Sequence, residues 1–397
     1  MNELPIYLDN QATTPIDPDV LKAMLPFYQE KFGNAASAHH IYGQEARNSI
    51  EKARRTLAES IHARPREIIF TSGATEAINL AIKGIAEKYT DLGRHIITQA
   101  TEHKAVLDTC NSLVERGWKV TILPVDSYGF VDPSSVVKAI TSDTVLVAIM
   151  HANNEIGTIQ PIEDIGKICR KKNVLFMVDA CQSYGKINLN TESMKIDLLA
   201  ATAHKLYGPK GIGFLFASQK DPKVELKMQM EGGGHERGFR SGTLAVPQIV
   251  GFARAVEICL KNKDDENLRL CQFRDQLYDG IKTIHPEIIL NGSINRRLTH
   301  NLNLCFPGLD GETIIMKMKG LACSTGSACS SASLKPSHVI KALGHDIELA
   351  HSAIRFSLGR FNTSKQISQA IKIINSTIKD LKDKKLRRQK IYSPGLE

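Results

Sequence analysis

The sequence predicts an α/β protein, with a large domain built on a mostly parallel sheet covered by helices on both faces and a smaller α+β domain beside it. Between Glu67 and Gly213, short apolar runs alternate with amphipathic stretches in a strand–helix rhythm, the pattern of a parallel sheet with both faces covered. After Gly242-Thr243 that rhythm stops, and two long helical patterns, at 250–260 and 267–284, lead into a region of mixed short elements. The 397 residues, 42% hydrophobic and 23% charged, are enough for two cores and give no compositional case for disorder.

Taken in order, strands are expected at 68–71, 95–98, 120–123, 145–150, 174–178, 198–201 and 212–217, where β-branched and other large apolar residues are concentrated. Helices are expected between them at 75–88, 105–116, 133–140 and 162–172, where apolar residues recur at helical spacing. The second region offers a strand at 301–306, a helix at 311–319, a loop around Cys329, a helix at 337–343, a strand at 353–358 and a closing helix at 365–381. The large domain is expected at 15–260 and the small one at 1–14 and 261–397, with the segment ahead of Phe27 packing back toward the second region. In a parallel sheet of this kind, ligands gather at the carboxyl ends of the strands.

Composition narrows the function classes. The net charge of +9 is concentrated at the end of the chain: between Lys379 and Lys390, seven Lys or Arg stand against Asp380 and Asp383. That segment reads as the solvated end of a helix, with an acidic partner the second reading and nucleic acid a distant third. The N-terminus lacks a basic region followed by an apolar one, and no stretch approaches the roughly 18 apolar residues of a membrane span, so the expected location is the cytoplasm, away from membranes. Eight cysteines without a Cys-x-x-Cys pair support neither a disulfide framework nor a resident metal site.

The candidate chemistry lies at strand ends. Lys205 follows the apolar run Leu198-Leu-Ala-Ala-Thr-Ala-His204, where partial desolvation favours a neutral, nucleophilic amine of the kind a Schiff base requires. Asp179 ends a neighbouring strand, and a lysine with a carboxylate at adjacent strand tips is the pairing a pyridoxal phosphate site needs. Gly73, Ala74 and Thr75 open a helix whose free N–H groups would cradle a phosphate, and Thr202 and His204 would add side-chain donors. His103 stands between a strand and a helix, either capping that helix or stacking on a cofactor ring and moving a proton. Asn154 and Gln182 are amides at strand ends that suit a ring oxygen. Arg355, a charge within an apolar strand, offers a fork for a substrate carboxylate, with a structural ion pair as the competing reading.

Cys329 lies in a run of small and hydroxylated residues, Leu321-Ala-Cys-Ser-Thr-Gly-Ser-Ala-Cys-Ser-Ser-Ala-Ser333, which has little to bury. An exposed thiol there, with a reference pKa of about 8.5, is partly ionised and reactive near neutrality. Cys323 is expected to pack inward. The glycine-rich segment 231–243 is suited to close backbone approach, to a ligand or to another subunit.

Together these residues resemble the class-V branch of fold-type I pyridoxal-phosphate enzymes, and within it the NifS/IscS cysteine desulfurases. The resemblance runs from Tyr7-Leu-Asp-Asn-Gln-Ala-Thr-Thr-Pro15 to Arg355-Phe-Ser-Leu-Gly-Arg360, through Thr71-Ser-Gly-Ala-Thr-Glu76, Thr101-Glu-His-Lys104, Val178-Asp-Ala-Cys-Gln182, His204-Lys205, Gly232-Gly-Gly-His-Glu-Arg237, Arg240-Ser-Gly-Thr243 and Gly326-Ser-Ala-Cys329. It implies pyridoxal 5'-phosphate on Lys205, held by Ala74, Thr75, His103, Asn154, Asp179, Gln182, Thr202 and His204, with Arg355 and Asn154 facing L-cysteine as substrate. It implies a homodimer in which Thr243 reaches the partner's phosphate, and a persulfide on Cys329 delivered to an iron–sulfur scaffold protein or to tRNA-thiolation proteins. No metal is implied beyond a nascent cluster that Cys329 could ligate in passing, together with a scaffold. Gln11 replaces a more usual serine or asparagine, Thr202 a frequent serine, and the basic tail does not match the docking segment of the housekeeping enzymes. An aminotransferase or selenocysteine lyase is the nearest enzymatic rival. A sulfur-relay protein without catalysis would be expected to lack Lys205 or Asp179.

Overall fold

The computed structural model describes residues 4–325 and 336–392. Its strands are β1 (Ile6–Tyr7), β2 (Ile68–Thr71), β3 (His95–Gln99), β4 (Lys119–Leu123), β5 (Thr144–Ala148), β6 (Leu175–Asp179), β7 (Leu198–Thr202), β8 (Gly213–Ala217), β9 (Ile289–Leu290), β10 (Asn301–Cys305), β11 (Leu321–Ala322) and β12 (Ala353–Ser357). Seven of them form one sheet in the order β2-β8-β7-β6-β5-β3-β4. From β7 to β4 the neighbours are parallel, whereas β8 runs antiparallel to both β2 and β7.

Alternation along these strands explains why both faces are covered. Phe70, Ile97, Val147, Phe176, Leu199 and Phe214 point into one apolar layer, while their neighbours Ile69, Ile96, Leu146, Met177, Leu198 and Leu215 point into the other. The helix Ala74–Lys88 covers the second layer with Ile78, Ile82 and Ile85, and Ile41–Glu59 covers the first with Ile50 and Leu57. Gly213 starts β8 where the chain passes the turn at Gly73. A Cβ there would lie 2.6 Å from the Ala201 carbonyl oxygen and 2.8 Å from Gly73 Cα, so only glycine fits this close approach.

A second core lies around the antiparallel sheet β12-β10-β9 and the parallel pair β1-β11. Leu8, Leu304, Phe356, Ile354 and Ile374 fill it. The two helices expected at 250–260 and 267–284 are one helix of 37 residues, Val246–Lys282. The polar stretch Lys261-Asn-Lys-Asp-Asp-Glu266 interrupts the apolar pattern but holds no glycine or proline to stop a helix. It spans the gap between cores, since Phe252 and Val256 bury in the first and Leu270, Leu277 and Ile281 in the second.

The N-terminal segment ahead of Phe27 divides between the two cores rather than packing as one piece toward the second region. Ile6 and Leu8 join the second core, but Val20 and Met24 of the helix Pro18–Met24 join the first, because they face the opening turns of the long helix. The closing helix runs Ser364–Tyr392, past its expected end at 381. Within it Lys384 pairs with Asp380 at 2.6 Å, and Lys385 Nζ donates to the Gly308 carbonyl at 2.7 Å. Among the described residues, no helix is long and apolar enough to cross a membrane.

Candidate active site

A cavity of about 710 Å³ opens where β6 and β7 end, and Lys205, Asp179, His103, Asn154, Gln182 and Arg355 all line it. Asp179 is the last residue of β6, paired in register with Ala200 of β7. After β7 the chain makes a tight turn, Ala203–Lys205, which places the lysine at the cavity wall. Lys205 Nζ donates to the carbonyls of Gln11 and Ala12, at 2.6 Å each. Asp179 is buried and its Oδ1 accepts from the Cys181 N–H at 2.9 Å.

His103 is both cap and cavity residue. As N-cap of the helix Lys104–Val114 its Nδ1 accepts from the Ala105 N–H at 3.1 Å, so the proton of the neutral ring sits on Nε2. Burial lowers its pKa, and Lys205 and His338 push the same way, while Asp179 opposes them. Burial likewise lowers the pKa of His204 to about 4, reinforced by Lys205, with its Nδ1 3.2 Å from Thr13 Oγ1.

Ser72, Gly73, Ala74 and Thr75 line the cavity at the head of the helix Ala74–Lys88. The Ser72 N–H donates to Glu76 Oε2 at 2.7 Å, and Glu76 is itself paired with Arg240 at 2.7 Å. The first-turn N–H groups beyond Ser72 have no carbonyl one turn back to meet, which makes this corner an anion cradle. The Thr202 hydroxyl donates to the Ile212 carbonyl at 3.2 Å, so it must turn before it can donate to a phosphate.

Arg355 makes the structural ion pair and also reaches the cavity. Its Nη2 pairs with Asp9 Oδ1 at 2.7 Å and its Nη1 donates to the Asn154 carbonyl at 2.7 Å, yet the residue still lines the cavity. Thr243 is exposed and does not line this cavity. Cys329 lies outside the described residues. On one side of it, Ser324 exchanges two backbone hydrogen bonds with Arg355; on the other, Ser337 Oγ donates to Glu155 Oε2 at 2.6 Å. Cys323 packs against the second core, and burial pushes its thiol up to about 12.

Sequence reasoning missed Glu102, Glu155, His338 and Asp9. Glu102 is fully buried, and burial above all, then Asp179, pushes its carboxyl up to about 8, although Oε1 accepts from the Met150 N–H at 2.6 Å and from Gln99 at 2.8 Å. Its signal was present in Thr101-Glu-His-Lys104, a carboxylate directly at a strand end. His338, whose Nε2 lies 2.9 Å from the Glu102 carbonyl, lines the cavity mouth and had no signal of its own.

The residues fit pyridoxal 5'-phosphate. An amine, a carboxylate, an imidazole and an anion cradle face one cavity, and the lining residues hold buried polar atoms without partners: Asn154 Oδ1, Gln182 Oε1, Gln11 Nε2 and Arg355 Nε. Fold and site together define a pyridoxal-phosphate enzyme of fold-type I. The Aminotransferase class-V family matches residues 6–370, and the chain belongs to that family, on its branch of NifS/IscS-type cysteine desulfurases. It is 51% identical over 383 residues to Cysteine desulfurase IscS of Tolumonas auensis, spanning 96% of this chain and 94% of the relative. A NifS-like protein of known structure superposes with a TM-score of 0.88 at 39% identity, covering 95% of this chain and all of the other. A structure of SspA in complex with cysteine gives a TM-score of 0.79 at 37% identity, covering 90% of this chain and 99% of the other.

Proposed function

We propose that the chain is a pyridoxal-phosphate-dependent cysteine desulfurase that converts L-cysteine to L-alanine and carries the sulfur as a persulfide on Cys329. The observation that carries this reading is the meeting of Lys205, Asp179, His103 and Arg355 at one cavity, bordered by Pro336, Ser337 and His338 just beyond the Cys329 segment. When bound, the cofactor supplies an electron sink that lets an amino acid lose its Cα proton. Arg355 holds the substrate carboxylate by its guanidinium, with Asn154 beside it. Asp179 would hold the proton of the cofactor's pyridine nitrogen, and Ala74, Thr75, Thr202 and His204 would hold its phosphate. Lys205 Nζ and His103 Nε2 move protons to and from the substrate carbons.

Cys329 performs the sulfur transfer. Its thiolate attacks the substrate sulfur, so that an S–S bond forms as the Cβ–S bond breaks. The electron pair stays with the substrate, which takes up a proton to become alanine; cysteine plus thiol gives alanine plus persulfide. The acceptor is an iron–sulfur scaffold protein, with tRNA-thiolation proteins as a further outlet. The enzyme works as a cytoplasmic homodimer in which Thr243, exposed in one subunit, completes the partner's phosphate site. The test is to assay alanine and sulfide from L-cysteine in the cofactor-loaded protein and in Cys329→Ser, with a dithiol reductant present that is oxidised to its disulfide as it releases the persulfide sulfur as sulfide. The expected result is release of both by the parent chain and neither by the variant. Turnover indifferent to Cys329 would point to a different pyridoxal-phosphate reaction.

A further inference from the structure

A chain of buried amides fixes which way the Gln11 side chain faces. Arg297 is buried, and a guanidinium only donates. Its Nη2 donates to the Ile156 and Asn291 carbonyls at 2.9 and 3.2 Å and to Asn301 Oδ1 at 2.6 Å. The oxygen of Asn301 therefore faces Arg297, and its Nδ2 faces away, donating to Gln11 Oε1 at 2.6 Å and to the Glu155 carbonyl at 2.9 Å. Gln11 in turn must present its oxygen to Asn301. Its Nε2 is left as a buried donor without a partner, on a residue that lines the cavity and is only 1% exposed.

This donor belongs to the wall that carries Arg355. The Gln11 N–H donates to Ser357 Oγ at 2.9 Å, and Ser357 and Arg355, two residues apart on β12, share a face. Arg355 Nη1 bonds the Asn154 carbonyl and Asn301 Nδ2 bonds the next carbonyl, that of Glu155, so both side-chain systems converge on one turn. The charge of Arg355 is already offset by Asp9. An incoming carboxylate thus meets a neutralised fork, while its two oxygens can accept about four hydrogen bonds. Further N–H donors are what this anchor lacks.

We infer that Gln11 is a second recognition residue for the α-carboxylate of the amino-acid substrate, donating from Nε2 beside Arg355. The inference rests on the amino-acid-transforming function proposed above. The Gln11 backbone carbonyl also holds Lys205 and Gln182, so a test must separate the amide from that backbone role.

The test uses the cofactor-loaded protein and its Gln11→Leu and Gln11→Glu variants, titrated by calorimetry with L-alanine and with ethylamine, the same amine without a carboxylate. Loss of a hydrogen bond to a charged group predicts L-alanine binding weakened about tenfold or more in Gln11→Leu, with ethylamine unchanged within about twofold. Gln11→Glu, which keeps the shape and the acceptor toward Asn301 but sets an oxygen where the donor was, weakens L-alanine further still. The KM for L-cysteine follows the same order while kcat holds. Equal weakening of both ligands, no weakening of either, or a Leu variant worse than Glu would overturn the inference. If Gln11→Leu fails to fold, the isosteric Glu variant carries the test alone. A parent chain that binds L-alanine through Gln11 but makes none from L-cysteine would sink the desulfurase reading and leave this one standing.

Discussion

The two walls of the cavity are built differently. The wall of Lys205, Asp179 and His103 is made of strand ends in the seven-stranded sheet, each residue placed by the few positions before it. The other wall, with Arg355 and Gln11 at its surface and Asp9 behind them, is assembled from residues nearly the whole chain apart, joined by one ion pair and a line of amides. In the function proposed above, Lys205 and His103 of the first wall move protons, whereas Arg355 of the second holds the substrate's charge. Changes on the first should therefore strike turnover, and changes on the second should strike binding and stability.

The largest expected effect is on the first wall. Lys205→Ala should lower alanine formation by about 10²–10⁴-fold, the scale of a lost proton carrier, with thermal stability nearly unchanged. A melting temperature that fell with the activity would show that Lys205 holds the Gln11 and Ala12 carbonyls for structural reasons first. On the second wall, Arg355→Gln should raise the KM for L-cysteine and also cost about 3–5 kcal/mol of stability, because it leaves the Asp9 carboxylate without its cation. Adding Asp9→Asn should recover stability without recovering KM, which denaturant unfolding beside steady-state kinetics would show. Recovery of both would erase the distinction between the walls.

The smallest effect concerns Glu102, behind the first wall. Its carboxyl is raised in the folded protein to about 8, so the folded state holds a proton that the unfolded chain releases near pH 4.5. Its contribution to stability is complete below about pH 4.5 and is lost as pH rises toward 8 and through it. Glu102→Gln should remove that dependence. Melting curves of parent and variant should diverge across this window by at most a few kcal/mol, on the order set by the proton linkage. Parallel curves would place the titrating proton elsewhere.

The same contrast decides what was legible in the sequence. Lys205, Asp179 and His103 could be placed because an apolar run that stops at a charged residue marks a strand end, and parallel sheets put ligands there. Arg355 was legible as a charge within an apolar strand, but its partner Asp9 was not, since no local pattern pairs positions 9 and 355. The environment of Glu102 was not legible, because Asp179, whose charge raises its pKa, and Met150, whose N–H it accepts from, arrive from other strands. The long helix reads as two in the sequence because the polar stretch 261–266 interrupts the apolar pattern. The gap marks only the passage from one core to the other, and no residue in it resists helix.

Lys205 rests on the carbonyls of Gln11 and Ala12, and those two residues are held in place by β1 against β11 and by Asp9 and Gln11 against β12. During synthesis the segment around Gln11 leaves the ribosome some 345 residues before Ser357 does. At about 5–20 residues per second it waits on the order of 20–70 seconds for its last partner. The lysine, made midway, meets a finished pocket only when translation nears its end. A nascent chain stopped at the close of the first core would hold a complete seven-stranded sheet with the Gln11 segment still unanchored by β12.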